Sequence, residues 1–223
     1  MLTVGDLLVR ARRILQEISA DGTRWTNIEL VDWLNEAYAT IVDICPSAYS
    51  ITSEMTCVAG TRQTIPEEAE RLIDVIRNTS TDAGGAIITR TSREAMNASR
   101  RRWHGEPQTN SLENYMIDVM DQRHFYVYPP ATDTATLEIL YSRVPENHLP
   151  AEAMVTSTER LRLSDTYAPI LLDLVLARAF SKDAETAANA QRAQMHSQSA
   201  TAALGLKIQS ISPSPSPAGA PQQ

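Results

Sequence analysis

The four histidines, His104, His124, His148 and His196, are the side chains best suited to acid–base or metal chemistry near neutral pH. No two of them lie three or four residues apart, and there is no Cys-x-x-Cys pair, so metal-ligand spacing is absent. Glu67, Glu68 and Glu70 cluster after Pro66. Paired carboxylates can move protons or hold divalent ions. Here Arg71 follows directly in a turn-like stretch, which favours a solvated face. Gly84-Gly85 is an isolated pair and forms no phosphate-binding loop. No nucleophile elbow occurs. The expected set of catalytic, cofactor-binding and metal-ligating residues is therefore empty. The strongest basic patch is Arg100, Arg101 and Arg102, followed by Trp103 and His104. Arginines beside an aromatic can grip nucleic acid or an acidic patch on a protein partner.

Composition weighs between those two. The 223 residues carry a net charge of −7, the opposite of what a phosphate-gripping groove needs. Apolar residues make up 43% of the chain, enough to build a core, while aromatics at 5% leave little for a stacking platform. A protein partner for the arginine patch, with Trp103 packed inward, is the better fit. Cys45 and Cys57 are too few for a disulfide framework and read as small buried hydrophobes in a reducing compartment. The N-terminus lacks the basic and apolar regions of a signal peptide. The longest apolar run, 170–179, is broken by Asp173 and Arg178, so no membrane span is expected.

The elements that would carry these residues begin with a helix over 3–19. Val4, Leu7, Leu8, Ala11, Leu15 and Ile18 share one of its faces, and Asp21-Gly22 stops it. Thr26 with Glu29 is a capping box that starts a second helix, whose stripe is Leu30, Trp33, Leu34, Ala37, Ile41 and Ile44. Strand-like segments follow: 51–58, 63–65, 72–77, 86–90, 115–120, 124–128 (closed by Pro129-Pro130) and 135–144. Ser92 caps a short helix among them. Helices return with Pro169 in a first turn, and a last, alanine-rich helix runs over 184–204 with Gly205 as its stop. That helix suits packing against a neighbouring copy. The expected architecture is α+β. A mainly helical four-helix bundle is built from hairpins at 1–48 and 163–206, with an antiparallel β-rich insertion over 49–162 and an extended Ser/Pro-rich tail over 207–223. Within the tail, Ser212 to Pro217 alternates serine with proline.

One ordered series of motifs runs through this frame. Arg24-Trp25-Thr26-Asn27-Ile28-Glu29-Leu30 leads into Trp33-Leu34-Asn35-Glu36-Ala37. Ala59-Gly60-Thr61-Arg62-Gln63 precedes Ile65-Pro66, then come Asp74-Val75-Ile76-Arg77-Asn78, Trp103 and Phe125-Tyr126-Val127-Tyr128-Pro129-Pro130. Leu176-Ala177-Arg178-Ala179-Phe180-Ser181-Lys182-Asp183 closes it. Over about residues 1–206 this series resembles the head-to-tail adaptor proteins of tailed bacteriophages.

The resemblance implies a non-enzymatic virion protein at the head–tail interface, made in the host bacterial cytoplasm. It implies a homo-oligomeric ring, usually of about twelve copies, docked beneath the portal protein. Such a ring extends the DNA channel and offers a surface to the tail tube or nozzle protein. Portal contact falls to Leu206, Lys207, Ile208 and Ile211, the apolar anchors and lysine beyond the Gly205 hinge. Tail-side contact falls to Arg100, Arg101 and Arg102. About twelve chains would carry roughly −84 together, and an acidic wall would let double-stranded DNA slide past without being held. The alternatives are a DNA-binding phage protein acting through Arg100, Arg101 and Arg102, and a virion hydrolase, for which the chain offers no carboxylate pair. No cofactor and no membrane contact are expected.

Overall fold

Helix formers at both ends of the chain flank a central block of strand formers, and the fold follows them. The structure, a computed structural model, describes residues 1–17, 22–118 and 120–211. Two compact units form: Met1–Cys45 with Glu146–Gln223, and Pro46–Pro145. Among the described residues there are five helices: α1 (Val4–Leu15), α2 (Asn27–Ile44), α3 (Arg93–Ser99), α4 (Ala168–Lys182) and α5 (Ala187–Ile211). There are seven strands: β1 (Ser50–Thr56), β2 (Gly60–Thr64), β3 (Arg71–Asn78), β4 (Thr89–Arg90), β5 (Asn114–Ile117), β6 (His124–Ala131) and β7 (Thr136–Ser142).

The first unit is built around α4. Its Ile170, Leu171, Val175, Leu176, Ala179 and Phe180 are buried, and α1, α2 and α5 all pack on it. Two capping boxes set the starts of α1 and α2. The Thr3 hydroxyl accepts from the Asp6 amide at 3.1 Å while the Asp6 carboxylate accepts from the Thr3 amide at 3.0 Å. Thr26 and Glu29 repeat the arrangement at 3.3 and 3.1 Å. Each box satisfies amides that the first helical turn leaves unpaired. The Trp25 indole donates to the Ala179 carbonyl at 2.9 Å and meets Phe180 edge-on, which ties the start of α2 to α4.

The second unit is a two-sheet sandwich. The first sheet has the order β1-β7-β3 and is antiparallel throughout. The second has the order β2-β6-β5-β4, with only β4–β5 parallel. Leu72, Val75, Leu137, Ile139 and Tyr141 from the first sheet share one core with Tyr115, Phe125 and Val127 from the second. On the far side of the second sheet, Met96 from α3 and Trp103 pack with Met116 and Tyr128. Two buried amides lock the turns. Asn78 accepts from the Leu112 amide at 2.9 Å and donates to the carbonyls of Leu112 and Ala86. Gln63 closes on Val58 through both its amide atoms, each at 2.8 Å.

The expected mainly helical four-helix bundle does not form. Seven strands close into two sheets with their own core, giving an α+β chain of substantial β content. Pairing explains the difference: β1 finds its partner in β7, far along the chain, so the short strands between the helical segments complete each other as a unit of their own. Several boundaries also move. α1 stops at Leu15, where Gln16 adopts a left-handed φ of 57°; the expected end at Ser19 and the Asp21 stop lie outside the described residues. β6 runs through Pro129-Pro130, because the carbonyls of Tyr128 and Pro130 still accept bonds, from Glu113 and Thr109. α5 passes through Gly205 to Ile211. Leu204 is buried and the Lys207 ammonium lies 4.2 Å from the centre of the Tyr167 ring, and both hold the helix past its expected stop. The tail residues 212–223 lie outside the described residues.

Candidate functional site

Each histidine has a structural partner. His196 on α5 bonds Asp173 on α4 through Nδ1 at 2.8 Å and stacks on Phe180, with ring centres 5.7 Å apart. Ser199 donates to the other oxygen of Asp173 at 2.7 Å. Serine and histidine thus share the carboxylate, and neither bonds the other. The order needed to activate a hydroxyl, with the imidazole between the other two, is missing; the three residues brace α5 against α4. His148 is fully buried in the first unit. Its Nδ1 meets Glu159 at 2.7 Å, its Nε2 meets the Tyr38 hydroxyl at 3.2 Å, and its backbone exchanges two 2.9 Å bonds with the Asn35 amide. Burial lowers the His148 pKa and pushes the Tyr38 phenol up to about 12. Burial thus favours the neutral form of both groups. His124 bonds Asp121, and His104 bonds Thr61 while stacking on Trp103 at 3.6 Å.

Among the described residues no group of three or more His, Cys, Asp and Glu is placed to hold a metal ion. Cys45 and Cys57 are buried and unbridged, and burial raises the Cys57 thiol to about 12. In the acidic cluster, Glu68 accepts from the Tyr141 hydroxyl at 3.1 Å. A backbone hydrogen bond, then this one, hold its carboxyl below the usual range, which favours the ion over a general acid. An open groove of about 490 Å³ on the first unit is lined by Trp33, Ala37, Leu174, Ala177 and Ala193. Its rim carries the exposed Arg178–Glu36 ion pair at 3.2 Å.

The arginine patch divides on folding. Arg100 bonds the Tyr128 hydroxyl, lies over the Tyr128 ring at 4.9 Å, and pairs with Glu106 at 3.6 Å. Arg101 and Arg102 are exposed. Trp103 is buried and donates to Asn97 at 2.9 Å. At the C-terminal end of α5, Leu206 is 68% exposed and Ile208 37%, while Lys207 packs on Tyr167. The side chain of Ile211 lies outside the described residues. Among the described side chains of α5 only Ala193, Ala200 and Leu204 are buried, so most of this long helix presents surface.

The named polar side chains are thus tied into structural contacts, and much of α5 and of the arginine patch lies at the surface. The family model of the SU10 adaptor protein matches residues 2–220, across both units. The chain belongs to the SU10 adaptor protein family. No curated protein matches it. The family consists of phage head-to-tail adaptors, so the adaptor is a structural protein of the phage particle. No helix among the adaptor's described residues is long and apolar enough to cross a membrane. The His148 brace escaped the sequence reading because its partners, Asn35 and Tyr38, lie more than a hundred residues away. The Thr3-x-x-Asp6 box carried a readable signal, a capping residue followed three positions later by a carboxylate.

Proposed function

We propose that the adaptor assembles as a ring of about twelve copies beneath the portal, extends the DNA channel, and carries the tail-side component on its far surface. The observation that carries this reading is the exposure of α5, whose outward residues make no core of their own. A long helix with so narrow a buried stripe normally finds another partner. The exposed Leu206 and Ile208 at its end are the proposed portal contacts, together with Lys207 and Ile211. Arg100, Arg101 and Arg102 make up the proposed tail-side patch, with Arg100 also paired to Glu106 in its own unit.

Native mass spectrometry of the adaptor mixed with intact portal rings tests the assembly. A complex containing about twelve added chains is expected, and Leu206→Glu with Ile208→Glu should weaken it. Failure of the adaptor to associate with an intact portal would overturn the reading. The rival, DNA binding through the arginine patch, rests on three exposed arginines, one of them paired with Glu106, in a chain of net charge −7. It predicts duplex affinity that falls steeply with salt, whereas passive contact in a channel predicts none worth measuring.

A further inference from the structure

β1 is an edge strand: among the described residues no other strand pairs with its outer side. The Cys57 amide donates to the Ala135 carbonyl at 2.8 Å, and the Tyr49 carbonyl accepts from the Arg143 amide at 3.2 Å. Odd positions therefore turn their backbone groups toward β7. Because these groups alternate sides along a strand, Ser50, Thr52, Glu54 and Thr56 turn theirs to the free edge. All four residues are exposed. The register with β7 has no bulge over the seven residues, and β1 contains no Pro, Lys or Arg, its one charge being Glu54. These are the devices that normally blunt an edge.

The other outer strands do carry them. β3 has two register breaks and is bridged through Arg77 to Ile87. β2 breaks register between Gly60 and Arg62, and the Arg62 guanidinium is held by Asp121. β4 is two residues long. One edge alone is left straight, long and open.

The sequence contains a strand suited to it. In residues 212–217 serine occupies every even position and proline every odd one. In an extended segment the three serines turn their amides and carbonyls to one side, and the prolines turn to the other. Proline has no amide to donate, so it is tolerated in a sheet only where that side faces away from the ladder. Each residue before a proline is also held near β or polyproline geometry. We propose that residues 212–217 of one copy add to the β1 edge of a second copy, with Ser212, Ser214 and Ser216 facing Thr52, Glu54 or their neighbours. The proposed strand begins at the residue after α5, so it extends directly from the end of that helix, and its six residues span roughly 19 Å at about 3.1 Å each. The added strand is one-sided: its proline edge cannot template another, so pairing stops after one strand. The choice of a second copy rests on the ring reading, in which every copy gives one tail and receives one.

The test uses the full-length chain and two variants, S212P/S214P/S216P and P213S/P215S/P217S. Amide exchange is resolved residue by residue over 50–56, in the portal-assembled state and in dilute solution. Native mass is read in parallel. In the assembly the Thr52 and Glu54 amides should exchange at least about tenfold slower than in dilute chain, the effect of a backbone bond of order 1.4 kcal/mol. The serine-to-proline variant should lose that protection and the proline-to-serine variant should keep it. Fast exchange in an intact ring overturns the pairing and leaves the ring reading standing. Equal protection in dilute monomer shows a chain pairing with its own tail, against the proposal. Loss in the proline-to-serine variant instead indicates recognition of a polyproline helix and overturns it too. Absence of a ring by mass is the separate failure of the ring reading.

Discussion

The β unit satisfies itself and the helical unit does not. In the sandwich, both sheets turn their apolar faces to one shared core, and Asn78 and Gln63 are buried with their amide groups bonded. In the helical unit, α4 is buried on most sides, but α5 contributes three buried residues from a helix of 25. A self-contained sandwich keeps its shape whatever surrounds it. A helix held along one narrow stripe is left free to bury its remainder elsewhere. The two units thus differ in what they leave exposed among the described residues: one a strand edge, the other most of a helix.

The largest effect expected is on the sandwich core. Phe125 is fully buried between the sheets, and Phe125→Ala should cost about 3–5 kcal/mol, read as a lower urea midpoint with faster amide exchange in β5 to β7. A loss below about 1 kcal/mol, the range of surface substitutions and conservative swaps, would break the claim that this unit holds itself together. Asn78→Ala comes next. It strips the Leu112 amide of its acceptor and two carbonyls of a donor, and a buried group left unpaired costs about 1–3 kcal/mol. Retained stability would mean that the turn is held by β3 pairing alone.

How much of this was legible follows the range of the interactions. Thr26 and Glu29, Ser92, and Pro169 in a first turn act within a few residues, and the structure has them where the sequence put them. Features made by distant partners were not legible. The strands are readable one by one, but the order β1-β7-β3 depends on segments far apart in the chain, so the sequence does not reveal that the strands build a second core comparable to the helical one. Gly205 is a good local stop, worth about 1 kcal/mol against the helix, yet contacts at Leu204 and Lys207 outweigh it. For the candidate surfaces, the split of the arginine patch could not be foreseen either, since Tyr128 and Glu106 reach Arg100 only on folding.

Two smaller effects belong to the helical unit. Thr26→Ala removes the hydroxyl that caps α2 and half of its capping box, and should cost about 1 kcal/mol in a thermal or urea melt. His148 gives this unit a pH dependence. Burial lowers its pKa from 6.5, so the unfolded chain takes up the proton more readily than the folded one. Stability is then complete above pH 6.5 and declines as pH falls below it. Glu159 favours the charged ring, but burial is the larger influence. His148→Gln should flatten this slope in melts run from pH 7.5 down to about 5; an unchanged slope would assign it to other groups.

The smallest effect on the free chain is the sharpest test of the contrast. Met195 is 61% exposed on α5, opposite the stripe of Ala193, Ala200 and Leu204 at 100° per residue. Met195→Lys keeps a good helix former and removes nothing from the core, so the melt of the isolated chain should move by no more than about 0.5 kcal/mol. If α5 buries its outer face against another chain, the same substitution places a charge in that contact and should reduce assembly on the portal. If both melt and assembly are unchanged, the exposed helix is simply a surface helix. If the melt itself drops, α5 is more deeply tied into its own unit than its exposure implies, and the contrast between the two units fails.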